Sequence, residues 1–253
     1  MPDLEVDLAD GVLRLRMNRP EVFNAFSAEM ALAFAAEVEA ADHRDDVRVV
    51  VLTGTGAAFS AGADISDGAG FDAETMTTAN RMVRAVVACD KPVLAAVNGV
   101  AAGIGCSLAL AADLQVATAS ASFLLAFTRV GLMPDGGSSA TVAAAVGRAR
   151  AMRMALLAEP LAAPEAHEAG LVSHLAPDEE FAALVDRLAA RLAAGPPLSY
   201  AATKRAVNAA TLPDLEGALA REKAGQELLF RTADVAEGVT AFGERRRPTF
   251  RGR

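Results

Sequence analysis

Asp135, in the segment VGLMPDGGSSA (residues 130–140), is a polar group of a type that can do chemistry, in a telling place. It follows an apolar stretch and precedes two glycines and two serines. It therefore either caps a helix beginning near Ser138 or points into a cavity lined by Phe127, Leu132 and Met133. Pattern alone favours the turn or cap. Two other segments offer chemistry through the absence of side chains. In VLAAVNGVAAGIGCSLA (93–109) and AFSAGADI (58–65), an apolar run gives way to a loop of glycine and alanine. Loops this bare let a ligand touch the main chain, where N–H groups at a helix start can hold a developing negative charge. Two of them suggest two backbone donors converging on one oxygen.

Other readings of the same residues are weaker. Gly99, Gly103 and Gly105 do not form GxGxxG, because Leu108 occupies the third glycine position, and no lysine follows a glycine as a phosphate-binding P-loop requires. Gly105-Cys106-Ser107-Leu108-Ala109 is one residue away from the GxSxG nucleophile elbow, so a serine hydrolase using Ser107 is an alternative. That turn needs its serine at the strand end, whereas nine residues separate Val97 from Ser107. His43 and His167 lie in polar helical stretches, which leaves His174 as the late partner. The competing view of Ser107 is a small buried serine on a helix. Cys89 and Cys106 sit in apolar surroundings without metal-type spacing, as buried free thiols do.

The elements that must position these groups follow from periodicity. VLRLRM (12–17) alternates as a half-buried strand, and Ser27 caps the helix-spaced EMALAFAAEVEAA. VRVVVLTG (47–54) reads as a strand feeding the first bare loop, Asp72 to Ala88 as a helix, and VLAAV as the strand after Pro92. A helix from Gly103 to Ala112, a strand at 113–118 and a short extended piece at 123–127 continue the alternation of an α/β core. Beyond residue 138 the pattern is helical, punctuated by Pro160, Pro164, Pro196, Pro197 and Pro213, with LVSHL (171–175) as its one strand-like piece. The Gly195–Pro197 break divides a mixed part, 1–195, from a helical part, 196–253.

With 253 residues, 53% of them hydrophobic, the chain can bury one large core. A formal net charge of −8 argues against nucleic acid and anionic membranes as partners. The basic cluster Arg245–Arg247 is either a solvated terminus or a local anion site. The acidic start MPDLEVDLADG lacks the basic-then-apolar pattern of a secretory signal, and no apolar run is long enough to span a membrane, so a cytoplasmic location is expected.

Five motifs, NRPEVFNAF (18–26), AFSAGADI (58–65), VNGVAAGIGCSLALAAD (97–113), VGLMPDGGSSA (130–140) and AFGERRRPTFRG (241–252), resemble in content and order those of the crotonase family, the enoyl-CoA hydratases and isomerases. The resemblance implies an α/β core of repeated ββα units with a C-terminal helical region that mediates trimerisation. It implies homo-oligomers, trimers or dimers of trimers, acting on acyl-CoA thioesters without metal or any cofactor beyond the coenzyme A of the substrate. By the same resemblance the thioester oxygen falls to the backbone N–H groups of Ala63 and Ile104. The substrate and its CoA moiety fall to Val22, Ala61, Gly62, Asp64, Ile65, Gly103, Phe127, Arg246 and Phe250. A lysine common after GADI is Ser66 here.

The two glutamates with which hydratases of this family activate water fall on Ser107 and Phe127, neither of which can accept a proton usefully. Members that shift a double bond instead carry one acid after the proline of the third loop, which is Asp135. The expectation is an isomerase converting 3-enoyl-CoA to 2-enoyl-CoA. A hydratase, or another acyl-CoA reaction using Asp64 or Asp67, and a non-catalytic acyl-CoA binder are the alternatives.

Overall fold

The computed structural model describes residues 2–65 and 72–253. Its chain lays one strand after another into two sheets. β1 (Leu4–Ala9) and β2 (Val12–Met17) are joined by Asp10 and Gly11, both at positive φ (52° and 78°) as a tight hairpin turn requires. Ser27 then caps α1 (Ala28–Asp42), its side chain accepting from Met30 N. Three ββα units follow. They are β3 (Val49–Gly54), β4 (Ala58–Ser60) and α2 (Ala73–Ala88); β5 (Val93–Val97), β6 (Val100–Ala102) and α3 (Ile104–Ala111); and β7 (Leu114–Thr118), β8 (Ser122–Leu124) and α4 (Ser138–Leu157). The remainder is β9 (Leu161–Ala162), α5 (Ala163–Glu168), β10 (His174–Ala176), α6 (Phe181–Ala193), α7 (Pro197–Thr211), α8 (Leu215–Leu229) and α9 (Ala233–Gly243).

The first strand of each unit joins a six-stranded sheet, β1-β2-β3-β5-β7-β10, antiparallel only at the first hairpin. The second joins a smaller sheet, β4-β6-β8-β9, parallel except between β8 and β9. This is the repeated ββα architecture expected. VVVLTG lacks a polar face because both faces of β3 are covered. Val50 and Leu52 join the main core, while Val49 and Val51 pack with Val185 and Ala189 of α6. Phe34, Phe59 and Phe123 are fully buried, and truncating any of them to alanine would cost about 3–5 kcal/mol.

The two bare loops are not wholly loops, because each contains a three-residue strand, β4 and β6. Here small residues permit close strand approach rather than signalling irregular chain. A side chain on Gly99 would collide with the carbonyl of Ala57. The strand expected at 171–175 is confined to β10, and the extended piece at 123–127 is β8 running into a 3-10 turn, Ala126–Val130. The helices after residue 195 fold back on the core. Lys204 of α7 donates to Asp113 (2.8 Å) and to Val86 O (2.9 Å), α8 packs on α2 and α4, and α9 lies on the Ala126–Val130 turn. No helix among the described residues is long and apolar enough to cross a membrane.

Candidate active site

Asn24 anchors the first wall of the site. It is fully buried in a left-handed conformation (φ 57°), where asparagine is tolerated better than most side chains. Its Nδ2 donates to Thr55 O (2.9 Å) and Ala58 O (2.8 Å), and its Oδ1 accepts from Arg19 N (2.9 Å). The segment beyond it runs alongside the first glycine loop. Ala61 N donates to Phe23 O (2.9 Å), Phe26 N to Gly62 O (2.7 Å) and Asp64 N to Phe26 O (3.0 Å). Gly62 and Asp64 thus face Phe26 with their backbone groups. Ala63, between them, turns its N–H to the opposite side, where no described residue accepts it.

Ile104 supplies the second amide. It opens α3, so its N–H has no acceptor within the helix, and no other described residue accepts it. Gly62 (φ 105°) brings the two loops together. A methyl group added there would lie 3.0 Å from Ala102 O and 3.5 Å from Ile104 N. Two main-chain donors without a described acceptor therefore lie on loops that touch at Gly62.

Asp135 enters from a third loop. Gly136 follows it at φ 63°, and a Cβ at that position would sit 2.5 Å from Ile104 Cδ1 and 2.8 Å from Ser107 Cβ, so the loop rests directly on the first turn of α3. The Asp135 carbonyl accepts from Ser107 Oγ and Ser138 Oγ, each at 2.8 Å, which fixes the backbone. Its carboxyl is 93% buried by residue exposure. Oδ2 accepts from Gln226 Nε2 at 2.7 Å, and Oδ1 has no partner among the described residues. Burial, opposed by the Gln226 hydrogen bond and reinforced by the negative charge of Glu222, pushes its pKa up to about 7. Asp135 does not cap α4. Glu222 does, accepting from Gly137 N (2.7 Å) and Ser139 N (2.9 Å).

A model of the enoyl-CoA hydratase/isomerase family matches residues 7–253. The chain belongs to this family. It is 44% identical over 99% of its length to a probable enoyl-CoA hydratase of Rhodobacter capsulatus, 98% of which is covered. It is 39% identical to the 1,2-epoxyphenylacetyl-CoA isomerase of Escherichia coli, covering 96% of each chain. A solved enoyl-CoA hydratase from Mycobacterium avium subsp. paratuberculosis superposes with a TM-score of 0.94 at 48% identity, covering 99% of both chains. Names within the family thus span hydration and isomerisation.

The remaining family-derived positions are distributed as follows. Val22 and Ala61 lie beside the first loop, Val22 ending a 3-10 turn and Ala61 exposed. Gly103 and Ile65 border the two amides, and Phe127 is buried in the Ala126–Val130 turn. The Asp64 carboxylate, an alternative acid in the sequence, is paired with the Arg19 guanidinium at 2.9 Å. Asp67 and Ser66 lie outside the described residues. Arg246 is committed to Glu237 (2.6 Å) and Glu244 (2.5 Å) within its own tail, and Phe250 is partly exposed. A basic residue so paired is not a free phosphate ligand in this conformation. The serine hydrolase alternative fails on geometry, because Ser107 Oγ is spent on main-chain carbonyls of Gly103 and Asp135 and bonds no imidazole. Both cysteines are free and buried, and desolvation pushes the thiols up to about 11 at Cys89 and about 12 at Cys106.

The sequence carried no explicit signal for Gln226 or Glu222. They stand four apart on α8, hence on one face, some 90 positions from the loop they grip.

The raised pKa makes stability pH-dependent. The folded protein binds its Asp135 proton more tightly than the unfolded chain, so stability falls as pH rises from about 4 to about 7 and stays lowered above. The interval from 3.8 to about 7 corresponds to at most about 4 kcal/mol. Asp135→Asn, which cannot ionise, is therefore expected to be more stable than the parent by up to about 4 kcal/mol at pH 8, with the gap narrowing to about 2 kcal/mol at pH 5, in denaturant titrations. An equal gap at both values would contradict the assignment.

Proposed function

We propose that the protein shifts the double bond of a 3-enoyl-CoA to the 2,3 position, with Asp135 as its single proton carrier. The observation that supports this most is the unpartnered, buried Oδ1 of Asp135 beside the first turn of α3, whose leading amide is itself unengaged. With the thioester oxygen on the N–H groups of Ala63 and Ile104, ionised Asp135 takes a proton from C2. The negative charge passes to the thioester oxygen, where the two amides stabilise it as an enolate. The resulting carboxylic acid delivers the same proton to C4, and the electrons settle as the 2,3 double bond. A pKa of about 7 suits both halves, since a group poised near ambient pH accepts and returns a proton with little bias. Ser107 and Phe127, at the positions of the hydratase glutamates, leave no carboxylate pair to activate water.

Hydration is the second reading, favoured by the printed name of the Rhodobacter capsulatus relative. Incubating purified protein with 3-enoyl-CoA and, separately, with 2-enoyl-CoA distinguishes the two. The expected result is rapid appearance of the conjugated thioester from the first and slow or no 3-hydroxyacyl-CoA from the second. Fast hydration that survives Asp135→Asn would overturn the reading, and tight binding of both thioesters without turnover would mark a binder.

A further inference from the structure

We propose that α8 supplies two positioning residues for the proton-carrying carboxylate: Gln226, which holds it in place, and Glu222, which faces it with like charge from the amino end of α4. The inference rests on the reading of Asp135 as the proton carrier. Gln226 makes three bonds to one short stretch of chain. Its Oε1 accepts from Met133 N (3.3 Å), and its Nε2 donates to Met133 O (2.8 Å) and to Asp135 Oδ2 (2.7 Å). Fully buried, it locks the backbone before Asp135 and one carboxylate oxygen at once, leaving Oδ1 as the oxygen available for exchange with substrate. Gly225, on the same helix, leaves the space that the Met133 thioether fills.

Glu222 is 1% exposed, and both its oxygens take main-chain N–H groups of the turn that follows Asp135. Burial raises its pKa, while those amides and the α4 dipole favour its anionic form. An anion fixed there repels a second negative charge on Asp135, while the Gln226 hydrogen bond favours it, so the two act in opposite directions on the same carboxyl. α3 and the start of α4 present Ile104, Ser107, Ser138 and Ser139 to the loop. On α8, Arg221 reaches Asp214, and Lys223 turns to Glu227 and to Ala73 and Thr77 of α2.

The test is the pH profile of kcat/KM for 3-enoyl-CoA isomerisation in the parent, Glu222→Gln and Gln226→Met, with circular dichroism and melting temperature recorded for each. The parent's acidic limb is expected near pH 7. Glu222→Gln, which removes the repulsion, is expected to move it down by about one pH unit, and Gln226→Met, which removes the stabilising donor, to move it up by about as much with a larger fall in kcat than rise in KM. Folded variants with reduced rate but an unmoved limb would assign α8 a purely structural role and overturn the inference. Should Glu222→Gln fail to fold, the direction of the Gln226→Met shift still decides. A parent profile with no such limb, or one retained in Asp135→Asn, would defeat instead the acid–base reading of Asp135.

Discussion

Replacing Asp135 by asparagine is expected to lower kcat for 3-enoyl-CoA isomerisation by about 10³–10⁴-fold with KM nearly unchanged. The size follows from its carrying the proton in both directions. Positioned acid–base groups contribute typically about 10²–10⁴-fold, and here one group performs both transfers. Asparagine keeps the shape and can still meet Gln226, so the loop fixed by Ser107 and Ser138 stays in place and substrate binding survives. What disappears is a group able to accept a proton from C2. Steady-state kinetics on the folded variant checks this, and a loss confined to KM would show that Asp135 binds rather than reacts.

The second large effect concerns a main-chain atom. Ile104 opens α3, the one place in a helix where proline is tolerated, because the missing N–H has no intrahelical partner. Ile104→Pro therefore deletes one proposed enolate donor and leaves the helix ladder intact. The expected fall in kcat is about 10²–10³-fold, the range found when one such donor is removed from an oxyanion site. Ile104→Val serves as the control, since it trims the side chain that packs on Gly136 but keeps the amide. A proline variant that melts like the valine variant yet turns over as fast would remove Ile104 N–H from the mechanism.

Much of this arrangement was legible in the residues. Ser27 and Asp72 mark helix starts that α1 and α2 obey, and the β-branched run at β3 and the apolar VLAAV at β5 are strands of the larger sheet. The two bare loops do come into contact, a methyl group on Gly62 lying 3.0 Å from Ala102 O. Misjudged was their extent, since the alanines of β4 and β6 have low strand propensity, and the adjoining Gly99 lies against the Ala57 carbonyl, where the backbones come too close for a larger residue. The second sheet was invisible for that reason. At Asp135 the local pattern alone favoured a turn or cap over a buried acid. Tertiary structure decides between them by bringing Glu222 to the helix end, a contact across 85 positions that no local pattern encodes. Arg246 shows the converse. Its charge left an anion site and a solvated terminus as alternatives, and in the fold it pairs with Glu237 and Glu244, close by in sequence.

Retention of a hydrogen isotope probes the single-carboxylate claim most directly. A 3-enoyl-CoA deuterated at C2 is converted in light water under single-turnover conditions, and the 2-enoyl product is analysed by mass spectrometry and NMR for deuterium at C4. One buried acid that takes the label and returns it should place a substantial fraction of the deuterium at C4. Product whose C4 hydrogen comes wholly from solvent would mean that a second group or a water delivers the proton, contrary to the account built on Asp135.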